Sequence, residues 1–406
     1  MATKGRRMRV LLLYLSSFFL FFNFSPAYSE TDTIYLGQPL RNWEQLISKN
    51  QVFKLQFFSS GMISRSYYVG IFYNKEQRTE KAVWMANRDN PIPDASGNLI
   101  IDFDGRLKIS YSGGRSAIVF NSLPANSNAS ATLLDSGNFV FRELDSNGSV
   151  TQVLWESFDY PTDTLLPGMK LGINLKTGHT LSLTSWRSDE VPASGSFTFG
   201  VDSNGTGQLV IWRLGNVYWT SGLWSNGSFD NVRQLSYEDY YNFSYVSNEN
   251  EKYLSYSVNE ISTSPMFYIG PDGQMRGDEG IASIGGCHLR NHLGCKMTGN
   301  SPECRKPNYF LVAKAKSIVG DGFKYDKSYN LSDSDCKEIC WNNCSCVAYA
   351  TNNGTGCEIW VQGMSFEEHF GTYDDRQFYF LYSKRGRDVA LMPSLVAPRR
   401  AWEEGV

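Results

Sequence analysis

The first 286 residues of this 406-residue chain contain no cysteine; all eight cysteines lie between Cys287 and Cys357. That excludes a disulfide framework or a thiolate metal site from the larger part of the chain. Crosslinking is instead concentrated at the density of a disulfide scaffold. Histidine is scarce too, with only His179, His288, His292 and His369. No G-x-S-x-G, no H-E-x-x-H and no thiolate–imidazole pairing is visible, so no catalytic residue is expected. Cys287, His288, His292 and Cys295, with Cys304 nearby, have a superficially zinc-like spacing. In a chain bound for an oxidising compartment such cysteines are bridged, so neither metal nor cofactor is expected. Helix-forming runs rich in Ala, Glu and Lys are also scarce. Beyond the first thirty residues no apolar run approaches the ~20 residues of a membrane-spanning helix. Past Tyr382 the longest is Val389 to Met392, and the chain is expected to be released rather than anchored.

The first thirty residues do carry such a run. Lys4, Arg6, Arg7 and Arg9 precede apolar Val10 to Phe22, and small residues Ala27 and Ser29 follow at signal-peptidase spacing. Residues 1–29 therefore read as a secretory signal, with a mature chain starting near Glu30. Its removal leaves 34 basic and 41 acidic residues, a net charge near −7. That speaks against nucleic acid or an anionic membrane as partner. Aromatics at 14% and 36 glycines indicate a β-rich, turn-rich chain of two to four domains. Eight N-x-S/T sequons mark glycosylation at Asn128, Asn147, Asn204, Asn226, Asn242, Asn330, Asn343 and Asn353. Asn343 is the weakest of them, because Cys344 sits inside its sequon.

From Thr33 to about Asp145 short alternating runs are closed by Gly, Asn and Asp. Three turn–strand units recur, at Ser96–Ile101, Asp104–Ile109 and Asp135–Phe141. Even repetition of this kind predicts a closed all-β array, a prism or barrel. Residues from about Val150 to Met275 repeat the pattern more loosely. Between the two, Trp155 to Gly168 carries prolines and aromatics that suit a rigid strap. Ser332 and Asp335 have capping-box spacing ahead of the one helix-like segment, on which Cys336 and Cys340 share a face. Strand-like stretches at Ser345–Ala350, Cys357–Val361 and Gln377–Tyr382 follow, so a helix stapled to a small sheet is expected.

Three stretches carry a family resemblance: Val83-Trp-Met-Ala-Asn-Arg-Asp-Asn-Pro91, Leu133-Leu-Asp-Ser-Gly-Asn-Phe-Val140, and Ser157-Phe-Asp-Tyr-Pro-Thr-Asp-Thr-Leu-Leu-Pro-Gly-Met-Lys-Leu-Gly172. They resemble the plant S-locus glycoproteins and the G-type lectin S-domain receptor-like kinases. The block Cys336-x3-Cys340-x3-Cys344-x-Cys346, followed by Cys357-Glu-Ile-Trp360, resembles that family's PAN/apple domain. The resemblance implies a mainly all-β chain of two β-prism, bulb-lectin-like domains and a small disulfide-stapled α+β PAN/apple domain. The implied division is signal peptide 1–29, bulb-type lectin domain 30–154, S-locus glycoprotein domain 155–283, a reduced cysteine-bearing connector 284–303, PAN/apple domain 304–383 and a basic, disordered tail 384–406. It also implies the pairings Cys336–Cys357 and Cys340–Cys346. Cys287, Cys295, Cys304 and Cys344 are left with three open connectivities.

Two departures shape the functional expectation. The Gly-rich loop, His-Arg-Asp loop and Asp-Phe-Gly site that a kinase needs do not occur in the chain. The mannose motif of bulb lectins, Q-x-D-x-N-x-V-x-Y, is also eroded. Aligned on Asn138 and Val140, Leu134, Ser136 and Arg142 replace Gln, Asp and Tyr; aligned on Asn98 and Ile100, the replacements are Asp94, Ser96 and Asp102; the third unit has Arg106 for the Asn. Asn98 and Asn138 are left as weak glycan contacts or, more simply, as turn residues. The expected function is therefore a secreted or cell-surface, non-enzymatic recognition glycoprotein for a protein, peptide or glycan ligand, in pollen recognition or immune perception. A homodimer or a receptor-kinase partner would go with it. The alternatives are a soluble mannose-binding defence lectin and the truncated portion of a receptor-like serine/threonine kinase.

Overall fold

The computed structural model describes residues 31–60, 66–75, 81–114, 116–120, 122–126, 128–202, 206–225, 228–232, 241–259, 264–277, 285–287, 295–296, 302–305, 310–315, 318–319, 322–325, 331–352, 356–364, 367–368 and 377–383. The signal segment, Asn204, Asn226, Asn330, Asn353 and the tail from 384 lie outside them.

Alternation along the strands builds the first module. In Phe53–Ser59 the side chains of Phe53, Leu55 and Phe57 turn inward while their neighbours face out, the two-residue period of a half-buried strand. This strand pairs over seven positions with Tyr67–Tyr73. Together with Gln45–Ile47 and Trp84–Met85 they form one four-stranded antiparallel sheet. The second sheet runs Leu40–Arg41, Asn98–Ile101, Leu107–Tyr111 and Ser116–Val119. The third sets Thr33–Tyr35 beside Asn128–Leu133, Phe139–Leu144 and Val150–Glu156, so the first strand closes onto the end of the module. Leu55, Ile71, Leu99, Ile109, Leu133 and Phe139 from the three sheets are fully buried in one core, the β-prism arrangement expected. The last strand runs through the expected boundary at residue 154 to Glu156.

The turns need their glycines. Between Asn98–Ile101 and Leu107–Tyr111, Asp102 Oδ1 accepts from the amides of Asp104 (3.0 Å) and Arg106 (2.9 Å). Gly105 sits at φ 71°, and a Cβ there would lie 2.1 Å from the Ala125 carbonyl oxygen. Neither the dihedral nor the space admits a side chain.

The second module again has three sheets. Thr164–Leu165 pairs with Phe267–Ile269, which pairs on its other side with Met275–Gly277. Thr180–Leu181, Leu171–Asn174, Glu251–Val258 and Tyr241–Ser247 form the next, and Leu183–Trp186, Ser194–Val201, Leu209–Arg213 and Asn216–Thr220 the last. Tyr256 and Phe267 (ring centroids 4.9 Å apart), Tyr241 and Phe243 form an aromatic cluster within it. The buried side chains of the two prisms are continuous. The strap between them is fixed to the first prism: Trp155 stacks on Tyr160 at 5.5 Å, and Trp84 Nε1 donates to the Tyr160 carbonyl at 2.8 Å.

The cysteine-bearing connector, poor in regular signal, leans on the second prism: Cys295 bridges Trp219 and Gly285 bridges Met275. The third module is a five-stranded antiparallel sheet in the order Phe310–Ala315, Gln377–Ser383, Cys346–Asn352, Gly356–Val361, Phe323–Tyr325, with the helix Asp333–Asn342 against it. At the helix start Asp335 Oδ2 accepts from the Ser332 amide at 2.8 Å, completing a capping box. At its end buried Arg305 donates to the carbonyls of Trp341 (3.0 Å), Cys340 (3.1 Å), Asn343 (2.7 Å) and Cys346 (3.1 Å). One guanidinium thus satisfies several carbonyls the helix leaves open. Among the described residues no helix is long and apolar enough to cross a membrane.

Candidate ligand cleft between the prisms

The joint between the prisms is polar. Arg88 is 8% exposed and reaches from the first module into the second. Its Nε donates to the Pro192 carbonyl (2.9 Å), Nη1 to Thr184 (2.9 Å) and Nη2 to Ser185 (2.7 Å). Burial pulls its pKa below the ordinary arginine value, opposed by Asp163 and Asp89. Asp89 accepts from both the amide and the hydroxyl of Ser194, each at 2.7 Å. Adjacent Asn87 stays inside the first prism, accepting from the Val69 amide at 2.9 Å and donating to Tyr67 and Asn90. The Asn-Arg-Asp triplet is thus one local brace and two latches.

Beside this joint opens a cavity of about 620 Å³ lined by both modules and the strap. Tyr73, Lys75 and Lys81 come from the first prism, Asp163 from the strap, and Trp186, Ser188, Asp189, Tyr268 and Arg276 are among those from the second. Lys81 is ion-paired with buried Asp163. Its Nζ lies 4.5 Å from the Trp186 ring centroid and 4.7 Å from that of Tyr268, a cation held by two aromatic faces. Burial pushes the Tyr268 hydroxyl up in pKa, with Arg276 opposing. Arg276 itself pairs with Asp272 at 2.5 Å. Trp186 Nε1 and Ser188 Oγ are buried without a hydrogen-bond partner. Cations, carboxylates and aromatic walls suit the binding of a polar ligand. Among the described residues no cluster could hold a metal ion.

The two asparagines singled out from the mannose motif do not line this cavity: Asn98 begins a strand of the second sheet, and Asn138 lies in the turn before Phe139–Leu144 of the third. Asn138 is buried to 8% exposure; its Nδ2 donates to Glu156 at 2.9 Å, and its Oδ1 accepts from Ser157 Oγ (3.0 Å) and the Phe158 amide (3.2 Å). Its carboxamide is therefore held within the protein through both its nitrogen and its oxygen. Asn98 donates to the Ser96 carbonyl two residues back, at 3.1 Å. The cysteines form four pairs: Cys287–Cys295, Cys304–Cys344, Cys336–Cys357 and Cys340–Cys346. The first two pairs resolve the connectivity that the sequence left open, with Cα–Cα separations of 5.6 and 5.9 Å. Of the sequon asparagines, Asn128, Asn147 and Asn242 are exposed; half-buried Asn343 accepts from the Ser345 amide at 3.1 Å.

Neither the cleft nor the latch was visible in the sequence. The available signal was a single charged pair, Arg88-Asp89, between a buried Trp-Met strand and a proline.

Two family models match the chain, D-mannose binding lectin over residues 81–187 and PAN-like domain over 304–365. A G-type lectin S-receptor-like serine/threonine-protein kinase of Arabidopsis thaliana is 40% identical over 395 residues, covering 86% of this chain and 46% of that protein. A second such kinase from the same plant is 41% identical over 343 residues, covering 82% and 41%. The S-locus-specific glycoprotein S6 of Brassica oleracea is 30% identical over 437 residues, covering 92% of this chain and 94% of that protein. The chain spans about half the length of the kinase relatives.

Proposed function

The chain belongs to the S-locus glycoprotein family, and from that membership we propose that it works outside the cell as a non-enzymatic recognition module with the inter-prism cleft as its ligand site. The observation that carries this reading is the cleft's construction. Its walls come from two prisms and the strap between them, so a ligand seated there would touch both prisms at once. The proposed ligand is an extracellular protein, peptide or glycan, and the biological setting cell–cell recognition, such as pollen recognition, or immune perception. Modules at 30–154, 155–283 and 304–383, a leader at 1–29 and glycans on the exposed sequons complete the proposal. The length of the kinase relatives supports a further part of it, that these residues correspond to the extracellular portion of a receptor kinase. The third module would then support a homodimer or contact with a receptor partner.

A second reading, a soluble mannose lectin, is favoured by the lectin family match over 81–187. Calorimetry with mannose and high-mannose glycans at millimolar ligand separates the two. The recognition reading expects no saturable binding. Saturable binding that Asn138→Ala abolishes at unchanged melting temperature would put the lectin reading first. Binders from arrays of cell-wall oligosaccharides and secreted peptides should be lost with Arg276→Ala or Lys75→Ala. A binder indifferent to both removes the cleft from the proposal.

A further inference from the structure

Asn-Gly occurs four times in the chain, at Asn147-Gly148, Asn204-Gly205, Asn226-Gly227 and Asn353-Gly354, and each time the next residue is Ser or Thr. Every Asn-Gly step is therefore a glycosylation sequon, although Ser and Thr make up only 65 of 406 residues. Asn-Gly is also the dipeptide most exposed to self-inflicted hydrolysis. With no side chain on the following residue, its backbone nitrogen can reach the asparagine carboxamide.

Asn147, the one of the four within the described residues, lies at an exposed hairpin tip between Phe139–Leu144 and Val150–Glu156. The Asp145 carboxylate accepts from the amides of Asn147 and Ser149, each at 2.8 Å. The Gly148 amide donates to the Asp145 carbonyl at 3.1 Å. Gly148 sits at φ 81°, the left-handed conformation that favours glycine, and no atom lies within 4 Å of where its Cβ would be. The tip is thus open enough for a bulky sugar, and ring closure there requires only that the Gly148 amide leave its bond to the Asp145 carbonyl.

We propose that glycosylation at Asn147 protects the chain chemically, by occupying the nitrogen that would otherwise leave as ammonia. In unmodified Asn147 the deprotonated Gly148 nitrogen attacks Cγ. The N–Cγ bond forms, the Cγ–Nδ2 bond breaks, and ammonia departs with the proton it needs. Water then opens the succinimide at either carbonyl, giving aspartate or isoaspartate with one added negative charge and destroying the sequon. With a glycan on Nδ2 the leaving group is a glycosylamine and the approach to Cγ is crowded, so the ring does not close. The same logic extends by sequence to the other three Asn-Gly steps.

The test compares the full-length secreted glycoprotein with Ser149→Ala, which keeps Asn147-Gly148 but removes the sequon, and with Gly148→Ala/Ser149→Ala. All are incubated at mildly alkaline pH and 37 °C, then peptide-mapped for amide-to-acid conversion and isoaspartate at 147. Conversion is expected in Ser149→Ala alone, and its loss in both the glycosylated protein and the double variant. Equal conversion with and without the glycan, a stable unglycosylated Asn147, or a secreted protein bare at Asn147 would each overturn the proposal. The rate in Ser149→Ala can be read in refolded protein too, so it does not depend on the compartment assigned above.

Discussion

Removing the Arg88 guanidinium tests the account of the inter-prism joint most directly. The residue is 8% exposed and donates three hydrogen bonds, all to main-chain carbonyls of the second prism. Arg88→Ala strands the carbonyls of Thr184, Ser185 and Pro192 in a buried joint, and each lost partner costs about 1–3 kcal/mol. The three losses are not independent, since a water can enter the vacated volume and serve more than one carbonyl. A total of about 4 kcal/mol is the working figure, in line with removing one member of a buried charged network. Spread over both prisms, that lowers the melting temperature by roughly 8–16 °C. Arg88→Lys presents one ammonium where three carbonyls wait, and should recover only a minor part. The assay is urea denaturation followed by tryptophan fluorescence beside calorimetry. If the latch couples the prisms, the variant's transition should also broaden or split into two. A loss under about 1 kcal/mol with one unbroken transition would show that the continuous apolar core alone holds the prisms together.

Three further outcomes are expected. Gly105→Ala should cost well over 1 kcal/mol, because left-handed backbone and the Ala125 carbonyl at 2.1 Å act together, whereas Gly148→Ala, at open φ 81°, should cost about 1 kcal/mol; thermal shift ranks the pair. Arg213 pairs with Asp335 at 2.5 Å in the first turn of the helix Asp333–Asn342 and with Glu338 further along it, so Arg213→Ala should loosen the third module from the second prism and speed proteolysis between them; unchanged cleavage would show that Ser196–Ser332 and the Asp333 amide suffice. Burial raises the pKa of Asp102, but hydrogen bonds from Lys108 and from the Arg106 and Asp104 amides outweigh it, leaving the carboxyl below the ordinary aspartate value. The folded pKa is depressed, so this stabilisation is present above the unfolded value of about 4 and is lost as pH falls through the folded one. Asp102→Asn should flatten that part of the acid-unfolding profile, and an unchanged profile would refute the assignment.

The strands could be read in the sequence where local chemistry decides them. Asp102 to Arg106 announces its hairpin because the turn needs Gly105 and the aspartate caps it with its own side chain. Leu99, Ile101, Leu107 and Ile109 alternate because one face is buried. Ser332 and Asp335 likewise announce the helix start. The expected prisms and stapled third module match the fold for these reasons. What was hidden depends on partners remote in sequence and silent in it. Arg88 meets carbonyls 96 to 104 positions away, and a carbonyl has no residue type to recognise. Arg305 closes its helix the same way, over 35 to 41 positions. The cleft is hidden for a related reason: Lys81, Asp163, Trp186 and Tyr268 converge only when the two prisms are set side by side.

That Arg88 grips peptide oxygens rather than side chains has a consequence for how such a protein can diversify. A joint made to the main chain takes no hydrogen bond from the side chains of Thr184, Ser185 and Pro192, so Arg88 itself reads only the backbone path there. The neighbouring segment Arg187–Ala193 is held in the same way: the Arg187 amide donates to Val191 and Ala193, the Asp333 amide donates to the Arg187 carbonyl, and Ser60 Oγ donates to the Glu190 carbonyl. Exposed side chains along this stretch, Asp189 of the cleft wall among them, are thereby free to drift without loosening the assembly. Architecture and vocabulary are carried by different atoms of the same residues, so the face offered to a ligand can be rewritten while the frame presenting it stays still.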